Sequence, residues 1–467
     1  MTAAETTILI FVIVISMILL RPWKINESIP TTVGAVLMFI LGYVSIGDIR
    51  SVLNIVDGAG LTILATIIMS SILDKAGFFL LAAERVLDKA NFSGKRLFFL
   101  VLLLSFLMTM FFNNDGSILI TTPIILEMTK RLRLSKANSL PYLLGSALIA
   151  SASSAPIGVS NLANLIALRI VGLNLNLYAA LLFVPSMLGI TVCAGLLYLV
   201  FRKNIPDTYS FGPIGPGPIH EHPLGTRVPP HIGPKEISPP GGQAPKIGPK
   251  RPRLSDVADP LLMKVGLTTV VAVRIGFFIG AAFNVPLELI AVAGALVLLV
   301  FYFGRDPKGP WRILKAAPWH ILVFAFGMYL LVYGLHNVGL TIVLGKLLTF
   351  LSNNTVFGSV IVTGILLTVM SSLMNNLPSI MIGTLMLTGL SLTPSVLHLS
   401  YLASVLGSDI GSLLLPVGTL ASLLWFHIVS KRFPISWKDY MKVSFAVIPL
   451  SLVVSLVALY VWGTTIL

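Results

Sequence analysis

The run from Thr6 to Leu20, TTILIFVIVISMILL, holds no formal charge, and stretches like it return along the whole chain. Such runs suit helices crossing a hydrocarbon core ~30 Å thick, where the backbone must satisfy its own hydrogen bonds. That requirement leaves helices or a closed barrel. A barrel needs short alternating segments, and these runs are continuous. The expected fold class is therefore an all-α polytopic membrane protein. Composition agrees: 11% of the 467 residues are charged, where a soluble domain carries about a quarter.

Thr6–Leu20 lacks the marks of a cleaved signal. No basic region precedes it, Glu5 stands before it, and Arg21 and Lys24 follow where a small-residue cleavage site would lie. It is expected to stay as a first helix with its N-terminus outside. Cys193 is the single cysteine, which excludes an intramolecular disulfide and a multi-cysteine metal site. In ITVCAGLL it reads as a small packing residue.

The chain repeats itself. MTMFFNNDGSILI (108–120) and SSLMNNLPSIMI (371–382) share an Asn-Asn pair with Ser three residues beyond, and Asn113 lies 262 residues before Asn375. Gly77 in ILDKAGF and Gly339 in GLHNVGL are again 262 apart. Pro156 in APIGVSNLANL matches Pro416 in LPVGTLASLL, and Gly34 matches Gly294, both at 260. Nearly one offset across four matches marks a duplication. Residues 1–205 form a first transmembrane repeat and 263–467 a second. Between them, 206–262 holds 14 of the 29 prolines and repeats IGPK, a Pro/Gly-rich composition that cannot bury a core and is expected to form a disordered, partly polyproline cytoplasmic linker. Its His220, His222 and His231 are read as solvated linker residues rather than metal ligands.

Spanning segments are expected at 6–20, 29–46, 59–74, 138–171 (interrupted) and 178–201, with a re-entrant hairpin of arms 97–112 and 117–129. Five crossings per half is odd, so the second half must be inverted, giving about ten transmembrane helices plus two hairpins. This topology places the loops near 21–28, 75–97, 130–136, 202–264, 305–315 and 431–442 on one side. Of 32 Lys and Arg, all lie on that side except Arg50, Arg169, Lys346 and Arg274, the last inside an apolar run. The positive-inside rule then makes that side cytoplasmic and leaves both termini outside. The net charge of +14 thus reflects topology and contact with anionic lipid, not nucleic acid.

Four polar interruptions break the helices in two symmetric pairs. The hairpin tips are Asn113-Asn114-Asp115-Gly116 and Asn375-Asn376-Leu377-Pro378. The other breaks are SASSAPIGVSN (151–161) and GSDIGSLLLPVGT (407–419). Broken backbone survives in a membrane only where protein buries it or it lines a cavity. The four breaks together predict a central site of amides, hydroxyls and helix ends. Its expected substrate contacts in the first half are Asn113, Asn114, Gly116, Ser154, Ser160 and Asn161. In the second half they are Asn375, Asn376, Ser379, Ser408, Gly418 and Thr419. Asp115 and Asp409 are the expected proton-coupling acids, because a carboxyl at membrane depth costs several kcal/mol and needs a function. Alternatively Asp115 caps its helix, although Asn114 is available for that, and Asp409 partners backbone amides or a cation. Arg274 is expected to be structural, pairing with an acid or reaching toward the interface. Glu127, His398 and His427 lie toward helix ends. No metalloprotease, nucleophile-elbow, P-loop or dinucleotide motif is present, so the chain is read as a non-enzyme without a cofactor.

At these residues the sequence resembles the arsenical pump membrane proteins, arsenite and antimonite efflux permeases of the ion transporter superfamily. The likeness is carried by ILDKAGFF, GKRLFFLVLLLSFLMTMFFNNDGSILITTPIIL, SNLANL, SSLMNNLPSIMIGTLML, GSDIGSLLLPVGTLASLLWFHIVSK and ISWKDY. It covers both repeats, and the block 407–431 is the most specific. Two positions depart from the family pattern: Ser151 stands where an acid usually precedes the first break, and Ser412-Leu413 where a Pro-Lys pair usually follows the second. The resemblance implies export of arsenite or antimonite, driven by protons alone or with a separate cytoplasmic ATPase subunit. Arsenite at neutral pH is an uncharged trihydroxy acid, a ligand that amides, hydroxyls and helix ends can hold. The scarcity of thiols fits an exporter that must release its cargo. Two other readings remain. One is a sodium-coupled anion transporter or cation/proton antiporter of the same superfamily, with Asn114, Ser160, Asn161, Asn376 and Thr419 as oxygen donors. The other is a passive channel for small neutral solutes.

Overall fold

Length, capping residues and glycines decide where each apolar run becomes a helix. The computed structural model describes residues 2–20, 25–209, 259–433 and 435–467. The first half comprises α1 (Ala3–Leu20), α2 (Ser28–Ile40), α3 (Ile46–Lys75), α4 (Phe78–Ala90), α5 (Gly94–Phe111), α6 (Asn114–Arg131), α7 (Lys136–Ala152), α8 (Leu162–Val171) and α9 (Leu175–Phe201). The second comprises α10 (Pro260–Ala282), α11 (Leu287–Phe303), α12 (Gly309–Ala316), α13 (His320–Asn337), α14 (Leu340–Ser352), α15 (Val356–Met374), α16 (Asn376–Thr388), α17 (Pro394–Asp409), α18 (Leu420–Ser430) and α19 (Trp437–Ile466). With α12 and α13 together answering to α3, the two halves run through the same order of elements. Among the described residues, nine helical segments are long and apolar enough to cross a membrane.

Local sequence sets these boundaries. The 30-residue helices α3 and α19 each open with a capping box, Ser45 with Asp48 and Ser436 with Asp439, which satisfies two orphan amides reciprocally. Gly77 and Gly339, at φ 81° and 88°, turn the chain into α4 and α14 through the left-handed region that glycine enters without a Cβ clash. The stretch 75–97, expected as a loop, therefore contains a helix. Phe79, Ala83 and Ala90 of α4 are buried, and its charged residues are Glu84, Arg85, Asp88 and Lys89. At 13 residues α4 is about 20 Å long, too short to span. The expected segment 59–74 is the later part of α3, and α2 stops at Ile40, before the expected 46.

Packing shows the inversion directly. The counterpart helices α9 and α19 lie against each other, with Trp462 Nε1 donating to the Ala180 carbonyl at 2.8 Å. Further along, Gly189 packs closely on Ser455, where any side chain would collide. Rising numbers in α9 meet falling numbers in α19, so the equivalent helices are antiparallel. The halves also exchange partners: α2 packs on α13 and α3 on α11, while α6 packs on α18 and α16 on α8. Two helix groups result, α1–α4 with α10–α14, and α5–α9 with α15–α19. Contacts of α3 with α8, α13 with α16, α4 with α5 and α14 with α15 join them.

The first residues of the expected 206–262 linker are docked. Gly94 N–H donates to the Asp207 carbonyl at 3.3 Å, and Tyr209 N–H donates to the Phe92 carbonyl at 3.2 Å. Lys95 pairs with Asp207 at 3.3 Å. At the other end, residues 260–262 already belong to α10. The intervening IGPK repeats and His220, His222 and His231 lie outside the described residues.

Candidate functional site

Each tip is a break that its own first asparagine closes. In the first, Asn113 is extended and its Oδ1 accepts the Gly116 N–H at 2.7 Å. The cap is thus Asn113, where the sequence had suggested Asn114, which is the first helical residue of α6. Any Cβ at position 116 would collide with the Asn113 Oδ1, which explains Gly116. Thr109 and Ser117 hydroxyls, 2.6 Å apart, bind the two arms together. In the second tip, Asn375 Oδ1 accepts from Leu377 N–H at 3.3 Å, and Ser379 Oγ donates to the Asn375 carbonyl at 2.7 Å. Ser372 Oγ donates to the Gly411 carbonyl at 3.4 Å, tying α15 to the second break.

The two remaining breaks end alike. Asn161 and Thr419 are the N-caps of α8 and α18, each preceded by a short 3-10 turn, 158–160 and 416–418. Asn161 does more than cap. Its Oδ1 accepts the Ala163 N–H at 3.0 Å, and its Nδ2 donates to Asp409 Oδ1 at 2.9 Å. Ser154 Oγ stands 2.8 Å from Asp409 Oδ2, and Asn164 Nδ2 donates to that same oxygen at 2.6 Å. Asp409, 1% exposed at the C-terminal end of α17, is therefore gripped by two amide donors of the opposite half, with the Ser154 hydroxyl shared between it and the Ser151 carbonyl at 2.7 Å. Two buried tyrosines brace this cluster: Tyr178 donates to the Ala155 carbonyl at 2.7 Å and Tyr401 to the Asn164 carbonyl at 3.0 Å.

Of the expected residues, Ser154, Asn161 and Asp409 are brought into direct hydrogen bonds. Ser160 and Ser408 are buried beside them in sequence, and their hydroxyls have no protein partner. Thr419 is engaged in its cap and with Ser422 Oγ at 2.9 Å. Gly418 lies so close to the Ser412 carbonyl that a side chain could not enter. Asn114 and Asn376 are buried at the starts of α6 and α16. None of the tip asparagines hydrogen-bonds Asp409. Asp115 is half-buried, makes no hydrogen bond among the described residues, and lies within electrostatic reach of Asp409 and Glu27.

Sequence reasoning missed Asn164, Tyr178 and Tyr401. Asn164 was detectable, since in SNLANL it follows Asn161 by three residues and so shares its helix face. The tyrosines sit inside apolar runs and gave no signal. Arg274 is 7% exposed, so it does not reach the protein surface, and among the described residues it pairs with no acid. Its Nε donates to the Phe111 carbonyl at 2.8 Å, its Nη2 to the Phe112 carbonyl, and its charge lies 5.7 Å from the Phe277 ring centre. Several buried polar atoms around the breaks have no protein partner: Ser151, Ser371 and Ser412 Oγ, Asn164 Oδ1 and Asn375 Nδ2. Among the described residues no three His, Cys, Asp or Glu side chains gather in a metal-binding cluster.

A profile of the citrate transporter family matches residues 9–404. A Bacillus subtilis (strain 168) protein, provisionally named an arsenical pump membrane protein, is 42% identical over 455 residues, covering 97% of this chain and 98% of its own. The arsenical pump membrane protein of Escherichia coli (strain K12) is 33% identical, covering 93% of each chain. The chain belongs to the arsenical pump proteins of the citrate transporter family. This family member is a multi-pass membrane transporter, as its relatives and its apolar helices together require. The crystal structure of the Alcanivorax borkumensis YdaH transporter aligns over 92% of this chain and 88% of that one, at 16% identity and a TM-score of 0.48.

Proposed function

We propose that this protein exports trivalent arsenite, and antimonite, from the cytoplasm in exchange for protons, by alternating access around the paired breaks. One observation carries the reading: Asp409 of one half is held by hydroxyl and amide donors of the other, amid buried Ser and Asn atoms with unused hydrogen-bonding capacity. Neutral arsenite presents three hydroxyls, each a donor and an acceptor, and such a lining suits it. A citrate-like polyanion would call for cationic partners, and the intramembrane Arg274 is engaged with backbone carbonyls. The names of the relatives point to the same cargo.

In this reading Asp409 organises the site and Asp115 carries the proton. Asp115 is the partly exposed acid without a hydrogen bond among the described residues, free to gain and lose a proton as the tip changes surroundings. The substrate-facing set comprises Ser154, Ser160, Asn161, Asn164 and Ser408 around Asp409, with the two tips completing it. The basic loops face the cytoplasm, both termini lie outside, and the 206–262 linker joins the repeats on the cytoplasmic side, where an ATPase subunit would dock. The test is arsenite accumulation in respiring everted vesicles, abolished by a protonophore. Undiminished transport by Asp115→Asn sinks the proton-carrier role.

A sodium-coupled reading rests on the unpartnered Asn164 Oδ1 and Ser160 and Ser408 hydroxyls around a carboxylate, an oxygen-rich set. Of the oxygens first expected to serve it, Asn161 Oδ1 and Thr419 Oγ1 are engaged as caps. Vesicle uptake that requires sodium and ignores the proton gradient would favour it.

A further inference from the structure

We infer that Arg274 is a positioning residue for transport, a pin from the second half that sets where the first hairpin tip stands. The last carbonyls of a helix have no intrahelical donor, and α5 ends at Phe111 inside the protein, where water is scarce. The guanidinium of Arg274 meets that need at two successive carbonyls, Phe111 and Phe112, immediately before Asn113. A fixed fork of donors suits two neighbouring acceptors, and a cation at a helix C-terminus also complements its dipole. Both effects are strong here because the side chain is buried.

The bonds are long-range, spanning 163 and 162 residues, and they cross between the two helix groups. Asn113, Asn114 and Asp115 follow the pinned carbonyls without a break, so their placement follows from the arginine. The second tip has no equivalent, since α1, the counterpart of α10, contains no basic residue. The arginine therefore belongs with the acid: both occur at the first tip and neither at the second. This inference rests on the tip being part of the transport site.

The test uses full-length Arg274→Lys and Arg274→Gln proteins. Arsenite KM, kcat and pH profile are measured in everted vesicles, and amide hydrogen exchange over residues 108–117 is measured on the purified proteins. A displaced tip is expected to raise KM roughly tenfold in the lysine variant and lower kcat/KM roughly a hundredfold in the glutamine variant. The pH profile should move, with faster exchange confined to the tip and partial rescue by lysine. Wild-type KM, pH profile and tip exchange in the glutamine variant overturn the inference. So does faster exchange spread over the whole chain with kcat reduced and KM unchanged, the mark of a merely structural arginine. If wild-type protein moves no arsenite, the proposed function fails while tip exchange still decides for or against the pin.

Discussion

The two hairpin tips begin from the same Asn-Asn pair and are completed by different means. In the first, Asn113 is extended, an arginine from the other half holds the preceding carbonyls, and a carboxylic acid follows. In the second, Asn375 sits at φ 81° and ψ 155°, a serine of the same hairpin ties the arm to the neighbouring break, and Leu377 stands where Asp115 would be. The shared parts are caps and helix starts; the charges are not shared. The breaks differ in the same way, with Asp409 ending α17 and Ser151 near the end of α7, 258 residues earlier. Duplication supplied the scaffold twice, and each ionisable group entered it once.

The largest effect should come from the acid of the first tip. Asp115→Asn is expected to lower proton-driven arsenite accumulation roughly a hundredfold. The volume-conserving Leu377→Met at the matching place should leave it within about twofold. Equal effects in the vesicle assay would erase the distinction between the tips.

Next comes the pair of breaks. Asp409→Ala strands two buried amide donors, Asn161 Nδ2 and Asn164 Nδ2, at about 1–3 kcal/mol for each left unsatisfied, and should destabilise the protein by about 2 kcal/mol or more. Ser151→Ala removes a hydroxyl without a protein partner and should change stability by less than about 1 kcal/mol. Thermal unfolding in detergent distinguishes the two.

A smaller contrast separates the caps. Asn375 occupies a backbone region almost reserved for glycine, where strain is worth about 1–3 kcal/mol. Asn375→Gly should therefore be milder than Asn375→Ala. At the extended Asn113, where glycine has no conformational advantage of that kind, Gly and Ala should differ by only a few tenths of a kcal/mol to about 1 kcal/mol. Similar Gly–Ala gaps at both sites, read from unfolding midpoints, would mean that the tips are strained alike.

The smallest effect is expected at the base of the first hairpin. Lys95→Ala removes an exposed pair with Asp207 and should alter stability by less than about 1 kcal/mol. Backbone bonds at Gly94 and Tyr209 still hold that segment. A larger loss would give the first hairpin a side-chain anchor at its base that the backbone bonds do not explain.

Much of this architecture was legible in the sequence because the membrane allows few solutions. Apolar length gave the helices, and the near-constant offset gave the halves and their order. The odd crossing number gave the inversion that α9 and α19 display. The helix α4 was not legible, because Glu84, Arg85, Asp88 and Lys89 give it the charge of a loop. Nor was α14, which is apolar but for Lys346 and at 13 residues too short to read as a span. At the site, Ser154, Asn161 and Asp409 stood out as polar residues in apolar surroundings. Their mutual hydrogen bonds did not, since nothing local tells Asn161 which carboxylate it will meet. Arg274 was visible as an oddity, but its acceptors are backbone carbonyls, and carbonyls look the same at every position.

The grip on Asp409 has a consequence for how the protein is made. Ser154 and Asp409 are 255 residues apart in the chain. At translation rates of ~5–20 residues per second, Asp409 leaves the ribosome roughly 10–50 s after Ser154. During that interval the first half waits at the membrane with Asn161 and Asn164 lacking their acceptor and α9 lacking α19. The site is thus assembled near the end of biogenesis, and a chain stopped before Asp409 would present its polar break, unfilled, to the quality-control machinery of the cell.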